Sequence, residues 1–222
     1  MNKEQLLIIG SGSQARYVIE NVHQRNEFRI VGIADIETSK NVGKLINGVY
    51  IICTIDDIEN YFPPDAGRII VAYGDNSKKR EIVRHLQKLG YKFATIISPK
   101  AYISETAKIG EGVIINPMAI IMPNAYIGKH VILHSHVVVE HDCYISDYAN
   151  LSPGVSLGGN VWVEEGAYLY TGSSVIPKIH IGAWAVVGAG AVVIQDVPDN
   201  TTVVGVPARV IKSNKRGGKD GR

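Results

Sequence analysis

The sequence predicts two folds in tandem: a small α/β domain with a parallel sheet over residues 1–96, then a β-solenoid of triangular rungs over residues 97–198, closed by an extension over 199–222. Three observations carry this reading. A six-residue period runs unbroken from Ile97 onward. Before it, short apolar runs alternate with amphipathic stretches. And 222 residues leave room for two small domains. With 45% hydrophobic and 20% charged residues, the chain has ample material for a core, which excludes disorder as a whole.

The period is read by cutting the chain into sixes. The first place of every six, from Ile97, Ile103 and Ile109 through to Val187 and Val193, is aliphatic. The fifth place, from Ala101 and Ala107 to Ala191 and Val197, is small or Val-sized except at Ile179. The second place often carries a turn-prone residue such as Ser104, Gly110, Asn116, Gly128 or Gly158. Each six then makes one flat face and one corner. The first and fifth residues point inward, and the second and third turn the corner, where Gly or Asn tolerates left-handed backbone angles. Three faces close a rung, so residues eighteen apart stack about 4.8 Å apart.

In the front part, Leu6–Ile9 reads as a buried strand, Tyr17, Val18 and Val22 follow a helical pattern, and Phe28 to Ala34 reads as a second strand ending at Asp35. Arg68 to Tyr73 reads as a third strand ending at Gly74-Asp75-Asn76, and Lys78 to Leu89 as an amphipathic helix closed by Gly90. Alternating strands and helices imply a parallel sheet. Gly10-Ser11-Gly12-Ser13-Gln14-Ala15 sits between the first strand and first helix. This is the setting in which backbone N–H groups at a helix start hold a phosphate, and Asp35 falls near where an acid meets a ribose hydroxyl. The same residues also make an ordinary tight turn. The domain is Rossmann-like but only about half the size of a doubly wound dinucleotide fold.

Charge and cysteine usage narrow the class further. The net charge is +2, with the basic excess in a Gly-rich tail at Lys212, Lys215, Arg216, Lys219 and Arg222. That tail reads as a solvated end; it lacks the aromatic interleaving of a nucleic-acid arm, so no nucleic-acid partner is expected. Cys53 and Cys143 match no zinc spacing, no metal is expected, and the reducing cytoplasm is the default compartment. No run approaches the ~18–20 apolar residues of a membrane span, and the first residues do not read as a secretory signal.

The repeat resembles the hexapeptide-repeat family, whose members form a left-handed parallel β-helix. The hand is implied by the resemblance, since the usual crossover rule favours the opposite one. The resemblance also implies a homotrimer and an acyltransferase using acetyl-CoA or acyl carrier protein. A truncated α/β domain ahead of this repeat, with Gly205-Val206-Pro207-Ala208-Arg209 after it, is similar to bacterial enzymes that N-acetylate nucleotide-linked 4-amino-sugars for surface polysaccharides or glycoproteins. Sialic-acid O-acetyltransferases are close relatives of these, which leaves a hydroxyl acceptor as the alternative.

Val139-Glu140-His141-Asp142 matches the catalytic segment of that family, which implies His141 as general base. From the residues alone, His141 occupies a third place and faces outward, where an imidazole is a proton acceptor near neutral pH. Asp142 or Glu140 could fix its tautomer; the resemblance assigns that role to Asp142. Eighteen residues on, Gly159 stacks above His141, where its N–H could receive an oxyanion. The resemblance further implies coenzyme contacts at Asn150, Thr171 and Ala189, and nucleotide-sugar contacts at Gly12, Ser13, Gln14, Asp35 and Gly74. The family's Gly-Gly-His-Gly is here Gly12-Ser13-Gln14-Ala15, and Asn150 replaces a histidine. Two rivals exist. A zinc lyase would use His136 and His141, but the place for a third imidazole holds Lys100 and Glu105. A non-enzymatic scaffold would leave the His-Asp pair incidental.

Overall fold

The computed structural model describes residues 3–213. Strand β1 (Glu4–Ile9) leads into helix α1 (Ser13–Arg25) and strand β2 (Phe28–Asp35). A hairpin of β3 (Leu45–Ile46) and β4 (Val49–Thr54) follows, then α2 (Ile58–Tyr61), β5 (Arg68–Val71), α3 (Asn76–Lys88) and β6 (Lys92–Phe93). The sheet order is β3-β4-β2-β1-β5-β6, parallel throughout except at the hairpin. Leu6, Leu7, Ile8 and Ile9 are all fully buried, as expected of a central strand covered on both faces. On one side Leu6 and Ile8 pack with Val18 and Ile19 of α1; on the other Leu7 and Ile9 pack with Ile58, Ile82 and Leu86 of α2 and α3. The strands expected before Asp35 and after Arg68 are present; the β3–β4 hairpin and β6 were not read from the sequence.

From Ile96–Ile97 to Val192–Val193, two-residue strands recur every six residues and stack in three parallel sheets. Every pairing joins residues eighteen apart, as in Ile114 with Ile132 and Val138 with Ser156. The result is a left-handed parallel β-helix, a three-sided prism. Its inside is lined by first and fifth places, among them Ile115, Ala119, Leu133 and Leu151, all fully buried. Each enclosed Leu or Ile contributes roughly 1.5–3 kcal/mol relative to exposure. The front face contains Ile114–Ile115, Ile132–Leu133 and Asn150–Leu151; the second contains Ile120–Ile121 and Val138–Val139; the third contains Tyr126–Ile127 and Tyr144–Ile145. Thr201–Val204 and the antiparallel Arg209–Ser213 extend the front face. Of the basic tail, Lys212 lies on that last strand and is exposed, whereas Lys215, Arg216, Lys219 and Arg222 lie outside the described residues. No helix among the described residues is long and apolar enough to cross a membrane.

The corners differ from expectation. They fall at the third and fourth places, not the second and third, and the left-handed residue is the fourth: Asn124 (φ 61°), Asp142 (φ 59°) and Gly166 (φ 68°) are examples. Glycine at the second place serves another purpose. A Cβ on Gly128 would lie 2.6 Å from Asp147 Oδ1, and one on Gly158 would lie 2.7 Å from Pro177 N. These glycines let the next rung's corner approach closely.

The α/β domain covers the front face. Asn21 Nδ2 donates to Asn116 Oδ1 (3.1 Å), Asn76 Nδ2 to Gly166 O (3.2 Å) and Arg80 Nη1 to Glu165 Oε1 (2.8 Å). The Arg80 guanidinium also lies 4.4 Å from the centroid of the Trp184 ring. Lys79 is sealed in this contact, 1% exposed, and its Nζ has no partner among the described residues. Burial drives its ammonium down to about 7, against the pull of Asp75. An unfolded chain holds that proton up to the ordinary 10.5. The lysine therefore weakens the fold fully below pH 7, and the penalty is relieved as pH rises from about 7 to 10.5. Lys79→Met is expected to raise Tm at neutral pH and to flatten the rise of stability across that window, read by denaturant titrations at several pH values.

Candidate active site

His141 follows the second-face strand Val138–Val139 and turns the edge between the second and third faces, the edge farthest from the α/β domain. Its side chain is 55% exposed. Nδ1 lies 2.8 Å from Asp142 Oδ2. An ionised carboxylate only accepts, so the ring donates there and its lone pair is on Nε2. No hydrogen bond joins Glu140 to the ring among the described residues, so the choice between Asp142 and Glu140 falls on Asp142. Hydrogen bonds from His141 and then Asn124 hold the Asp142 carboxyl below its ordinary value. Asn124 was not picked out of the sequence. It sits directly below Asp142 and donates from Nδ2 to Oδ1 at 3.1 Å; the eighteen-residue stacking rule points to it.

Gly159 stacks above His141, as Asn160 N donating to His141 O (3.0 Å) records. A Cβ at 159 would lie 2.5 Å from His141 Nε2, so the ring rests against the bare glycine. The Gly159 N–H bonds to no acceptor among the described residues. The exposed ring thus sets its lone pair against the buried Gly159, whose N–H has no partner among the described residues. Behind them Cys143 is buried, and burial pushes its thiol up to about 11, so no sulfur nucleophile serves this corner.

The other expected residues lie elsewhere on the chain. Thr171 and Ala189 are exposed and stack, Gly190 N donating to Thr171 O at 2.9 Å, but on the edge between the front and second faces. His136 is on that edge too, away from His141, and no group of three or more His, Cys, Asp or Glu among the described residues could hold a metal. Asn150 is fully buried on the front face and donates to Gly74 O at 3.2 Å. It belongs to the domain contact, so this chain alone gives it no open side.

The Gly-rich loop lies above this same near edge. Gln14 Nε2 is 3.5 Å from His134 Nε2, and burial pushes the His134 imidazole down to about 4, leaving it neutral at pH 7. Gly12 caps α1 with no side-chain bond, and a Cβ there or at Gly74 would meet open space. Gly12 and Ser13, at the start of α1, are exposed. Asp35 is fully buried and accepts from Glu37 N (2.8 Å), Asn41 Nδ2 (2.7 Å), Ser11 Oγ (2.9 Å) and Thr38 N (3.4 Å). Burial alone would raise its pKa, but these bonds together hold it below the ordinary value. Asp35 braces the loop, and a ribose hydroxyl would have to displace one of its partners.

A three-sided β-prism of six-residue turns behind a small α/β domain, with an acid-bound imidazole on one edge, is the build of a hexapeptide-repeat acyltransferase. Residues 106–141 match the bacterial transferase hexapeptide (six repeats), and residues 5–86 match the PglD N-terminal domain. The chain belongs to the sugar N-acetyltransferases that join these two parts. It is similar to a histidine-to-asparagine mutant of perosamine N-acetyltransferase from Caulobacter crescentus, in complex with CoA and GDP-perosamine, at 32% identity and TM-score 0.88, over 94% of this chain and 97% of that one. It is similar to the acetyltransferase domain of PglB from Neisseria gonorrhoeae at 30% identity and TM-score 0.87, over 94% of this chain and 100% of that one. Likeness to serine acetyltransferase of Bacillus pumilus is confined to 40 residues at 52% identity, 18% of either chain.

Proposed function

We propose that the chain moves an acetyl group from acetyl-CoA to the amine of a nucleotide-linked 4-amino-sugar, in the making of surface-glycan or glycoprotein sugars. The observation that carries this reading is the far edge, where the Asp142-bound His141 ring sets Nε2 against Gly159, whose N–H has no partner among the described residues. The amine nitrogen attacks the thioester carbonyl carbon, and His141 Nε2 takes the proton that the nitrogen sheds. The Gly159 N–H receives the oxyanion of the tetrahedral intermediate. Collapse breaks the C–S bond, and the thiolate recovers the proton from the imidazolium. Both substrates are bound together, with no covalent enzyme intermediate.

A second copy of the chain completes the site. The loop at Gly12–Gln14, with Thr171 and Ala189, marks one edge of the second face, and His141 with Gly159 marks the other. Between them the second face and its corners expose Met118, Ile120, Ile176 and Ile194, an apolar strip suited to burial between copies. A homotrimer packed on this face brings the base edge of one copy to the loop edge of the next, with the coenzyme along the seam. That the perosamine enzyme was crystallised with CoA and GDP-perosamine supports this donor and acceptor class.

Incubating the full chain with acetyl-CoA and UDP-, GDP- and dTDP-linked 4-amino-sugars, with thiol release as readout, tests the proposal. Turnover is expected with at least one nucleotide-linked amine and not with the unlinked sugar. Turnover confined to a hydroxyl acceptor such as sialic acid would replace N-acetylation by O-acetylation, and none with any acceptor would favour the scaffold.

A further inference from the structure

We propose that Asn124 is a positioning residue for this reaction: its amide pins the Asp142 carboxylate so that the carboxylate holds the His141 ring with its Nε2 lone pair toward Gly159. The inference rests on His141 being the base. Three stacked fourth places build the device. Thr106 Oγ1 accepts from Asn124 N at 3.0 Å, Asn124 Nδ2 donates to Asp142 Oδ1 at 3.1 Å, and Asp142 Oδ2 takes the His141 Nδ1 proton at 2.8 Å. Asp142 is nearly half exposed. A free carboxylate there would rotate about χ2 and share its hydrogen bonding with water. Holding both oxygens removes that freedom.

The bond is not a general property of the edge. Asn160, the next fourth place above, makes no side-chain bond among the described residues although its backbone is also left-handed (φ 59°). A neutral amide also suits the place: it orients the carboxylate without cancelling its charge. Other ionisable groups near His141 in sequence or on its edge are Glu140 and Cys143, Tyr144 opening the third-face strand, and Glu105 and Lys178 two rungs below and above.

The test uses Asn124→Gly and Asn124→Asp in the full chain, because both residues accept the left-handed backbone (φ 61°). Both variants are expected to keep Tm close to the parent's. Asn124→Gly is expected to lower kcat about tenfold with KM for both substrates within about twofold. The acid limb of its kcat profile should move to lower pH, because a wandering carboxylate stabilises the imidazolium less. Asn124→Asp sets a second carboxylate beside the first, and its acid limb should move to higher pH. Nitrogen-15 NMR of His141 supplies a readout independent of turnover: the Nδ1–H tautomer dominates in the parent and is expected to mix with the Nε2–H form in Asn124→Gly. An unchanged tautomer in Asn124→Gly, or coincident pH profiles for both variants, overturns the proposal. His141→Ala in the same assay separates the two readings. Retained turnover there defeats the base assignment, and the tautomer measurement still decides what Asn124 does.

Discussion

Replacing His141 with alanine is expected to reduce kcat by about three orders of magnitude while leaving KM for acetyl-CoA within a few-fold. Three features set that scale. The ring is the imidazole whose tautomer is fixed at this edge, by Asp142 at 2.8 Å. A protonated amine cannot attack a thioester, and a positioned base typically contributes 10²–10⁴-fold. The ring is also exposed and packs on a bare glycine, so its loss opens no cavity and Tm should hold. Steady-state thiol release together with a melting curve checks both halves. A drop of less than about tenfold would mean that the amine arrives neutral and loses its proton to solvent.

Adding one methyl group at Gly159 is expected to cost about 10²-fold in kcat with little loss of stability. The Cβ of Gly159→Ala would fall 2.5 Å from His141 Nε2 and 2.6 Å from Cε1, inside any allowed contact. The backbone angle at 159 lies outside the left-handed region, so alanine carries no conformational penalty there. The ring must swing away, carrying the base off the line of attack, and a displacement of about 1 Å is enough for a loss of that size. The N–H remains, so a loss in this variant is charged to the imidazole's place rather than to the oxyanion donor. Measuring kcat, Tm and the His141 tautomer on the same sample resolves this; unchanged turnover would show that the ring works from another rotamer.

Much of this was legible in the residues. The aliphatic first place from Ile97 to Val193 determines the prism, because a six-residue period with small fifth places has few other ways to hide its apolar side. The stacking of Gly159 on His141 follows from the same arithmetic, and so does that of Asn124 eighteen residues below Asp142. The corner was misplaced by one residue because glycine has two uses. At Gly128 and Gly158 it clears room for a neighbouring rung, and a sequence does not distinguish that from a positive φ. The hairpin around Asn47-Gly48 carried its own signal, an Asn-Gly pair between apolar runs. Asn150 and Asp35 were harder. Their surroundings arise from how the α/β domain docks and how its loops fold back, and neither is periodic.

The strict pairing of residues eighteen apart limits how such a chain can change in length. Losing one residue inside a strand between Asn124 and Gly159 would rotate everything downstream by a sixth of a face, swapping lining for surface and parting the His141–Asp142 pair from Asn124 below it or from Gly159 above it. Removing or duplicating a complete turn leaves the cross-section intact and only shortens or lengthens the column. Growth of this half of the molecule is therefore quantised, and shorter insertions are confined to the corners, where they can bulge outward without disturbing the register above them.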